Sequence, residues 1–393
     1  MDHRQPMDQQ VRFDTATTAP RGGGGRDGDL DDYRALALIW VMVIHCLYLS
    51  WILGPAWDVP KSLLLIEMPV LFFITGAGVS LGKQESSIAF YVHRLSRILV
   101  PFWIYGAVYL ALEFTVGCGI RNANETILIG WLVPLDKPPS TLAPLNWHLW
   151  FIPIYLAVTL LLPVLRSFHD RLPERARLLP LIAWASAIWL MERLPGFDRT
   201  RMVVFYAFWA YLGLSYPRFK RRPWPRGAVL ACSLTAYAAL GGLVASGQYT
   251  SNFQFNKFPP NLAFLLLGIG HLGMLTLARR PILGIARRPP LRWVLSPYAR
   301  YGYTIYLYHM LIFWGWSRLL GGSPRLQQFV AAYPVASVAL MILVVVPLAA
   351  LQAWPFQRFE RFRVRMPDSP LAITSAPHLR SRQTETSPQA DAS

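Results

Sequence analysis

The chain has 393 residues, 54% of them hydrophobic, with 15 Trp, 17 Tyr and 21 Phe but only 15% charged. That is a membrane profile rather than a soluble one. The formal net charge of +17 would point to nucleic acid in a soluble domain, but here the basic residues lie in short stretches between apolar runs, so nucleic acid is discounted and the bilayer takes its place as partner.

Residues 1–29 are polar and Gly-rich, including RGGGGRDGD, and are expected to form a disordered tail because they cannot bury enough apolar surface to fold. The next stretch, Asp31 to Trp51 (DDYRALALIWVMVIHCLYLSW), is too long for a signal-peptide core and lacks a small-residue cleavage pattern, so it is expected to remain in the membrane. Asp31 or Asp32 can cap its first turn. Nine further apolar runs follow, at about 62–81, 98–116, 148–165, 178–192, 202–216, 227–245, 260–277, 298–320 and 329–353, of which 178–192 and 202–216 are short for a bilayer. The expected fold is therefore all-α, a polytopic membrane protein of about ten transmembrane helices occupying residues 30–360. Alternating the loops between two sides gathers PRFKRRPWPR, ARRPILGIARRPPLR and QRFERFRVR on the side of the N-terminus, which predicts that both termini are cytoplasmic. Residues 361–393 read as a basic and then disordered tail, with no appended catalytic domain. The three cysteines, Cys46, Cys118 and Cys232, are scattered and form neither a metal spacing nor a disulfide framework, so no metal and no bound cofactor is expected.

Ionisable residues deep in apolar runs carry the chemical signal. Arg34 and His45 share the first run with ten residues between them, so at 1.5 Å per residue the histidine lies roughly 16 Å further along the axis, near mid-membrane. Such a residue either bonds a neighbouring helix or faces a functional cavity. His309 lies nine residues beyond Arg300 in the ninth run and reaches a matching depth. Glu67 opens the second run; either it falls close enough to His45 to orient the imidazole, or it sits at the outer interface beside Lys61. Further along this run Thr75, Gly76, Ala77, Gly78 and Ser80 suit close helix packing and also leave room for a thin ligand. Arg94 and Arg97 in FYVHRLSRILVPFW share a helix face, suited either to headgroup anchoring or to a phosphate ligand. NWHLWFIPIYL, with His148 and Trp150, reads on its own as an interfacial aromatic belt.

The opening LDDYRALALIWVMVIH resembles that of the acyltransferase 3 family, with its arginine and histidine separated by ten residues in the first membrane helix. PVLFFITGAGVSL, FYVHRLSRILVPFW, LWFIPIYL and YTIYLYH resemble later segments of the family in the same order, and the resemblance spans residues 30 to about 360. Thr75 stands where many members have serine, and no esterase-type domain follows. The resemblance implies an enzyme of the plasma (inner) membrane that transfers an acyl group, commonly acetyl from acetyl-CoA, to a hydroxyl of a carbohydrate, glycolipid or small-molecule acceptor. It implies His45 as the catalytic residue and Arg34 as a donor-binding residue; Glu67, by its depth, is the candidate to assist His45, and Arg94 and Arg97 can join Arg34 in meeting the donor phosphates. Thr75, His148, Trp150, Tyr306 and His309 become candidates for the acceptor site or its cavity. A neutral imidazole has the basicity to take a hydroxyl proton; an acyl-histidine intermediate is equally open to this sequence. Two other classes remain: a transporter or flippase with midplane histidines, which would favour broken helices in two matching halves, and a membrane sensor or scaffold without catalysis.

Overall fold

A computed structural model describes residues 27–49, 52–82, 86–116, 125–142 and 144–360. The expected tails 1–29 and 361–393 therefore lie outside the described residues, apart from Asp27 to Asp29. All regular secondary structure among the described residues is helical, with one isolated bridge between Lys257 and Pro260.

Every apolar run of the sequence becomes helix. The first half comprises α1 (Gly28–Leu49), the short α2 (Asp58–Ser62), α3 (Glu67–Leu81), α4 (Ser87–Val116), α5 (Glu125–Leu132), α6 (Phe151–Arg171), α7 (Pro180–Met191) and α8 (Asp198–Leu214). Then come α9 (Tyr216–Arg221), α10 (Arg226–Ala245), α11 (Phe253–Lys257), α12 (Leu262–Leu277), α13 (Arg279–Ala286), α14 (Leu291–Tyr308), α15 (Met310–Gly322), α16 (Pro324–Ala332), α17 (Pro334–Ala353) and α18 (Gln357–Glu360). Six segments among the described residues are long and apolar enough to cross a membrane: Gly28–Leu49, Pro55–Leu81, Ser87–Val116, Trp147–Arg171, Arg226–Ala245 and Pro334–Glu360. A seventh is possible if α12 and α13, bent by 67°, act as one. The protein is thus an all-helical, multi-pass membrane protein, and two of the ten expected spans depart from a single full-length helix. With 12 residues, α7 rises only about 18 Å against a hydrocarbon core of about 30 Å, and the ninth run breaks in two at His309.

The centre of the bundle is α8. Phe205 to Tyr211 are all buried, so this helix is enclosed on every side, as a helix apolar around its circumference must be. It packs along α3 with almost no separation. A Cβ on Gly76 would strike the Ala210 backbone, and one on Gly213 would strike the backbone of Phe73. Backbone-to-backbone packing therefore explains Gly76 in the small-residue stretch of α3. On the other flank α1 packs against α14, where Gly302 abuts the Leu38 side chain. Just before Gly302 the α14 backbone departs from helical geometry at Tyr301 (φ −133°, ψ 29°), one turn after Pro297.

Candidate active site

Eleven steps of about 100° bring Arg34 and His45 to within about 20° of each other around α1, so they lie on one stripe, three turns apart. Across from the deeper end of that stripe, α14 gives way to α15 at His309. A helix end leaves its last four carbonyls without intrahelical partners. Three of those of α14 are accounted for: Ile305 accepts from the His309 backbone N–H at 3.0 Å, Tyr308 accepts from the Gln352 amide, and Tyr306 accepts from the His309 ring itself, Nδ1 at 2.5 Å.

This last bond decides the protonation pattern of both histidines. Because a carbonyl only accepts, His309 Nδ1 carries the hydrogen and its Nε2 is an acceptor. His309 Nε2 lies 2.6 Å from His45 Nδ1, which must then donate, and the two rings are within 7° of parallel. The remaining lone pair of the His45 ring is on Nε2. His309 is fully buried, whereas His45 keeps part of its surface accessible. Phe313 stands edge-on to both rings, with centroids at 6.4 and 6.0 Å. The imidazole chain is thus a buried orienting ring, fixed by a backbone carbonyl, and a reachable ring with a free base.

Beside this pair the structure places His148 and Tyr306, with Trp150 on the same turn as His148. His148 is buried on a 3-10 turn before α6, its ring 5.2 Å from that of His309, and neither of its nitrogens meets hydrogen-bond geometry. Tyr306 donates its hydroxyl to the His148 carbonyl at 2.6 Å. Trp150, from the same turn, stands edge-on to Phe258 at 4.7 Å and lies 6.0 Å from Tyr206, which stacks on Phe72 at 4.6 Å.

Glu67 meets neither of its expected neighbours. Lys61 pairs with Asp58 at 2.7 Å, and the His45 ring nitrogen that a carboxylate would orient is taken by His309. Glu67 Oε1 instead forms an ion pair with Lys257, both side chains almost wholly buried. The Lys257 ammonium lies 5.8 Å from the Trp150 ring and 5.4 Å from that of Phe258, and it is near enough to His45 to act on the ring electrostatically. Its position is built by α11, where Ser62 Oγ accepts from Phe253 N at 3.0 Å and Asn256 donates to the Thr250 carbonyl at 2.7 Å. Glu67 Oε2 and the hydroxyls of Tyr48 and Tyr206 are buried without hydrogen-bond partners.

The other candidates are set apart from this centre. Arg34 pairs with Asp31 at 2.8 Å and faces Gly78. Thr75 turns its hydroxyl back to the Leu71 carbonyl at 2.9 Å. Arg94 lies 5.5 Å from the Phe90 ring, and Arg97 acts on Glu360, whose carboxylate accepts from Thr304 at 2.8 Å. Among the described residues no group of three His, Cys, Asp or Glu converges as a metal site would. Lys257 escaped the sequence reading because its loop, SNFQFNKFPPN, has no helical period; its lodging between two phenylalanines was the available sign.

A family model described as an acyltransferase domain, that of the acyltransferase 3 family, matches residues 27–350. No curated protein and no solved structure matches the chain.

Proposed function

We propose, from the premise that the chain belongs to the acyltransferase 3 family, that this membrane acyltransferase moves an acyl group, acetyl foremost, from acyl-CoA to a hydroxyl of a carbohydrate, glycolipid or other small acceptor, with His45 as general base. The observation that carries this reading is the run of bonds from His45 Nδ1 through His309 Nε2 and Nδ1 to the Tyr306 carbonyl, which leaves a basic nitrogen on the accessible ring. His45 Nε2 takes the proton of the acceptor hydroxyl as the oxygen attacks the thioester carbonyl. The tetrahedral intermediate then expels the thiolate by breaking the carbon–sulfur bond, and the proton on Nε2 passes to sulfur. Lys257, paired with Glu67, supplies positive charge for the oxyanion. The unpartnered Glu67 Oε2 and the Tyr206 hydroxyl, whose ring neighbours Trp150, suit a ligand that is itself rich in hydroxyls.

The donor enters at the N-terminal end of α1, turned to the cytoplasm of a cell whose plasma membrane holds the protein. The basic loops favour that orientation, and Arg34, Arg94 and Arg97 offer guanidinium groups for the phosphates of an anionic donor. The test is transfer of labelled acetyl from acetyl-CoA in membranes with and without the protein, followed by mass analysis of modified glycans and small molecules. Label on a hydroxyl-bearing product that disappears with His45→Gln is the expected result; uptake or flipping of a solute without any acylated product would replace the reading with transport.

A further inference from the structure

At the end of the bundle where α1 begins, a cavity of about 100 Å³ opens between α3, α6 and α9. It lies apart from the histidine centre, and its walls are basic: Arg166 from α6, Arg177 from the following loop, and Arg218 and Arg221 from α9. Three of these are held in place. Arg166 donates to the Val79 carbonyl at 3.0 Å at the end of α3, Arg177 donates through Nε to the Leu172 carbonyl at 3.2 Å, and Arg218 donates through one terminal nitrogen to the Glu174 carbonyl at 2.6 Å. Each therefore keeps further N–H groups for another acceptor. Behind them His169 and Ser215 are buried and bonded to each other at 3.0 Å, and the Ser80 hydroxyl joins the lining from α3. The acids facing this group are Asp170, 3.7 Å from Arg166 and 3.1 Å from His169, and Glu174, 3.3 Å from Arg218. Four guanidinium groups against two carboxylates leave the cavity positively charged. Preformed guanidinium forks with hydroxyls between them suit one chemistry best, a phosphate monoester.

The position of the cavity says which part of a ligand it would receive. Ser80 lies two residues beyond Gly78, the residue of α3 that Arg34 faces. His45 is roughly 16 Å from Arg34 along α1, so the cavity lies on the order of 20 Å from the reacting nitrogen. A ligand that joins the two must be long and carry its phosphate at the far end from its reactive group. We propose that this cavity is a phosphate-monoester site that takes the 3′-phosphate of the acyl-CoA donor. This rests on the acyl-CoA reading above, and adds a site to the arginines of α1 and α4. A phospholipid headgroup bears similar chemistry and is the competing source.

The test uses the full chain in lipid nanodiscs and two probes. The first compares the KM for acetyl-CoA with that for acetyl-3′-dephospho-CoA, in wild type and in Arg218→Gln/Arg221→Gln. Wild type is expected to prefer the phosphorylated donor by roughly tenfold, as loss of charge-assisted bonds predicts, and the double variant to lose that preference. The second probe is equilibrium binding of adenosine 3′,5′-bisphosphate, which needs no turnover: wild type binds it, and the variant binds it about tenfold more weakly. Arg221→Gln alone, on the exposed rim, gives the same direction of change should the double variant fold poorly. A preference that persists in the variants overturns the proposal. So does a loss that follows the anionic lipid content of the nanodisc and is equal for both donors, which would identify a headgroup site. If wild type binds the bisphosphate through these arginines but transfers no acyl group, the acyltransferase reading of this chain fails and the phosphate site stands.

Discussion

His309 sits between a backbone carbonyl and the ring of His45: its Nδ1 donates to Tyr306 and its Nε2, 2.6 Å from His45 Nδ1, can only accept. One ring fixes the hydrogen of the other, as the orienting partner of a catalytic histidine does in a hydrolase triad.

The first prediction separates the two rings. His45→Gln removes the base and should lower kcat by about 10²-fold to 10⁴-fold. His309→Ala removes only the orienting acceptor and should lower it by about 10-fold to 100-fold. His309→Gln, whose amide oxygen can accept from His45 Nδ1, should recover part of that loss. Steady-state acyl transfer decides the order, and a His309→Ala enzyme as inactive as His45→Gln would make the pair a single catalytic unit.

The pH profile follows from the same hydrogen assignment. His45 must be neutral to accept the hydroxyl proton, so kcat/KM should rise with pH as the imidazolium deprotonates and then level off. A profile that falls across this limb would mean that His45 works as an acid. His45→Gln should abolish the limb along with most of the rate.

The Lys257–Glu67 pair gives a prediction about folding and chemistry together. Lys257→Met leaves the Glu67 carboxylate buried and alone, which should cost about 3–5 kcal/mol. Adding Glu67→Gln should restore much of that stability, read as the unfolding temperature of the purified protein. If Lys257 stabilises the oxyanion, the double variant folds but stays slow; a fast double variant would leave the pair with a structural role only.

The glycines of α3 are expected to behave differently although they are two residues apart. Gly76→Ala drives a methyl group into the Ala210 backbone and should destabilise the protein by about 2 kcal/mol or more, since neither helix backbone can yield cheaply. A Cβ at Gly78 meets only the Arg34 guanidinium, at 4.0 Å. Gly78→Ala should fold normally, and any effect should be on donor affinity.

At the start of α1, Asp27 is pulled two ways: burial pushes its carboxyl up, while the bonds from Lys220 at 2.8 Å and from the Leu30 and Asp29 backbone N–H groups outweigh it and hold the group below its ordinary value of 3.8. A carboxylate lowered by folding stabilises the fold at pH values above the unfolded value, and that contribution disappears as pH falls through the lower, folded value. Asp27→Asn should therefore cost about 1 kcal/mol or less at pH 7, a cost that fades as pH falls through the lowered folded value, measured as chemical unfolding in detergent.

The parts of this site that could be read in the sequence are those fixed by one helix. Arg34 and His45 announce themselves because both are costly in an apolar run and because the helical rise converts their spacing to depth. His309 followed by the same argument from Arg300. Depth says nothing about facing, so the contact between two histidines 264 residues apart could not be read, nor could the pairing of Glu67 with a lysine 190 residues away. The fold was legible as helices, since each apolar run yields one helix or two among the described residues. Where each helix ends was not, because composition marks an apolar stretch without revealing that α7 stops after 12 residues or that a helix breaks at His309.

On the proposed mechanism, with His45 as base at one end of a helical stripe and Arg34 at the other, α1 would act as a gauge. It would measure the donor from reacting carbon to charge, in angle as much as in length. One residue inserted between Val41 and Ile44 would lengthen the gauge by only about 1.5 Å, yet turn His45 by about 100° from both Arg34 and His309. Evolution can therefore change what lines the path of the donor far more freely than it can change the count of residues along it.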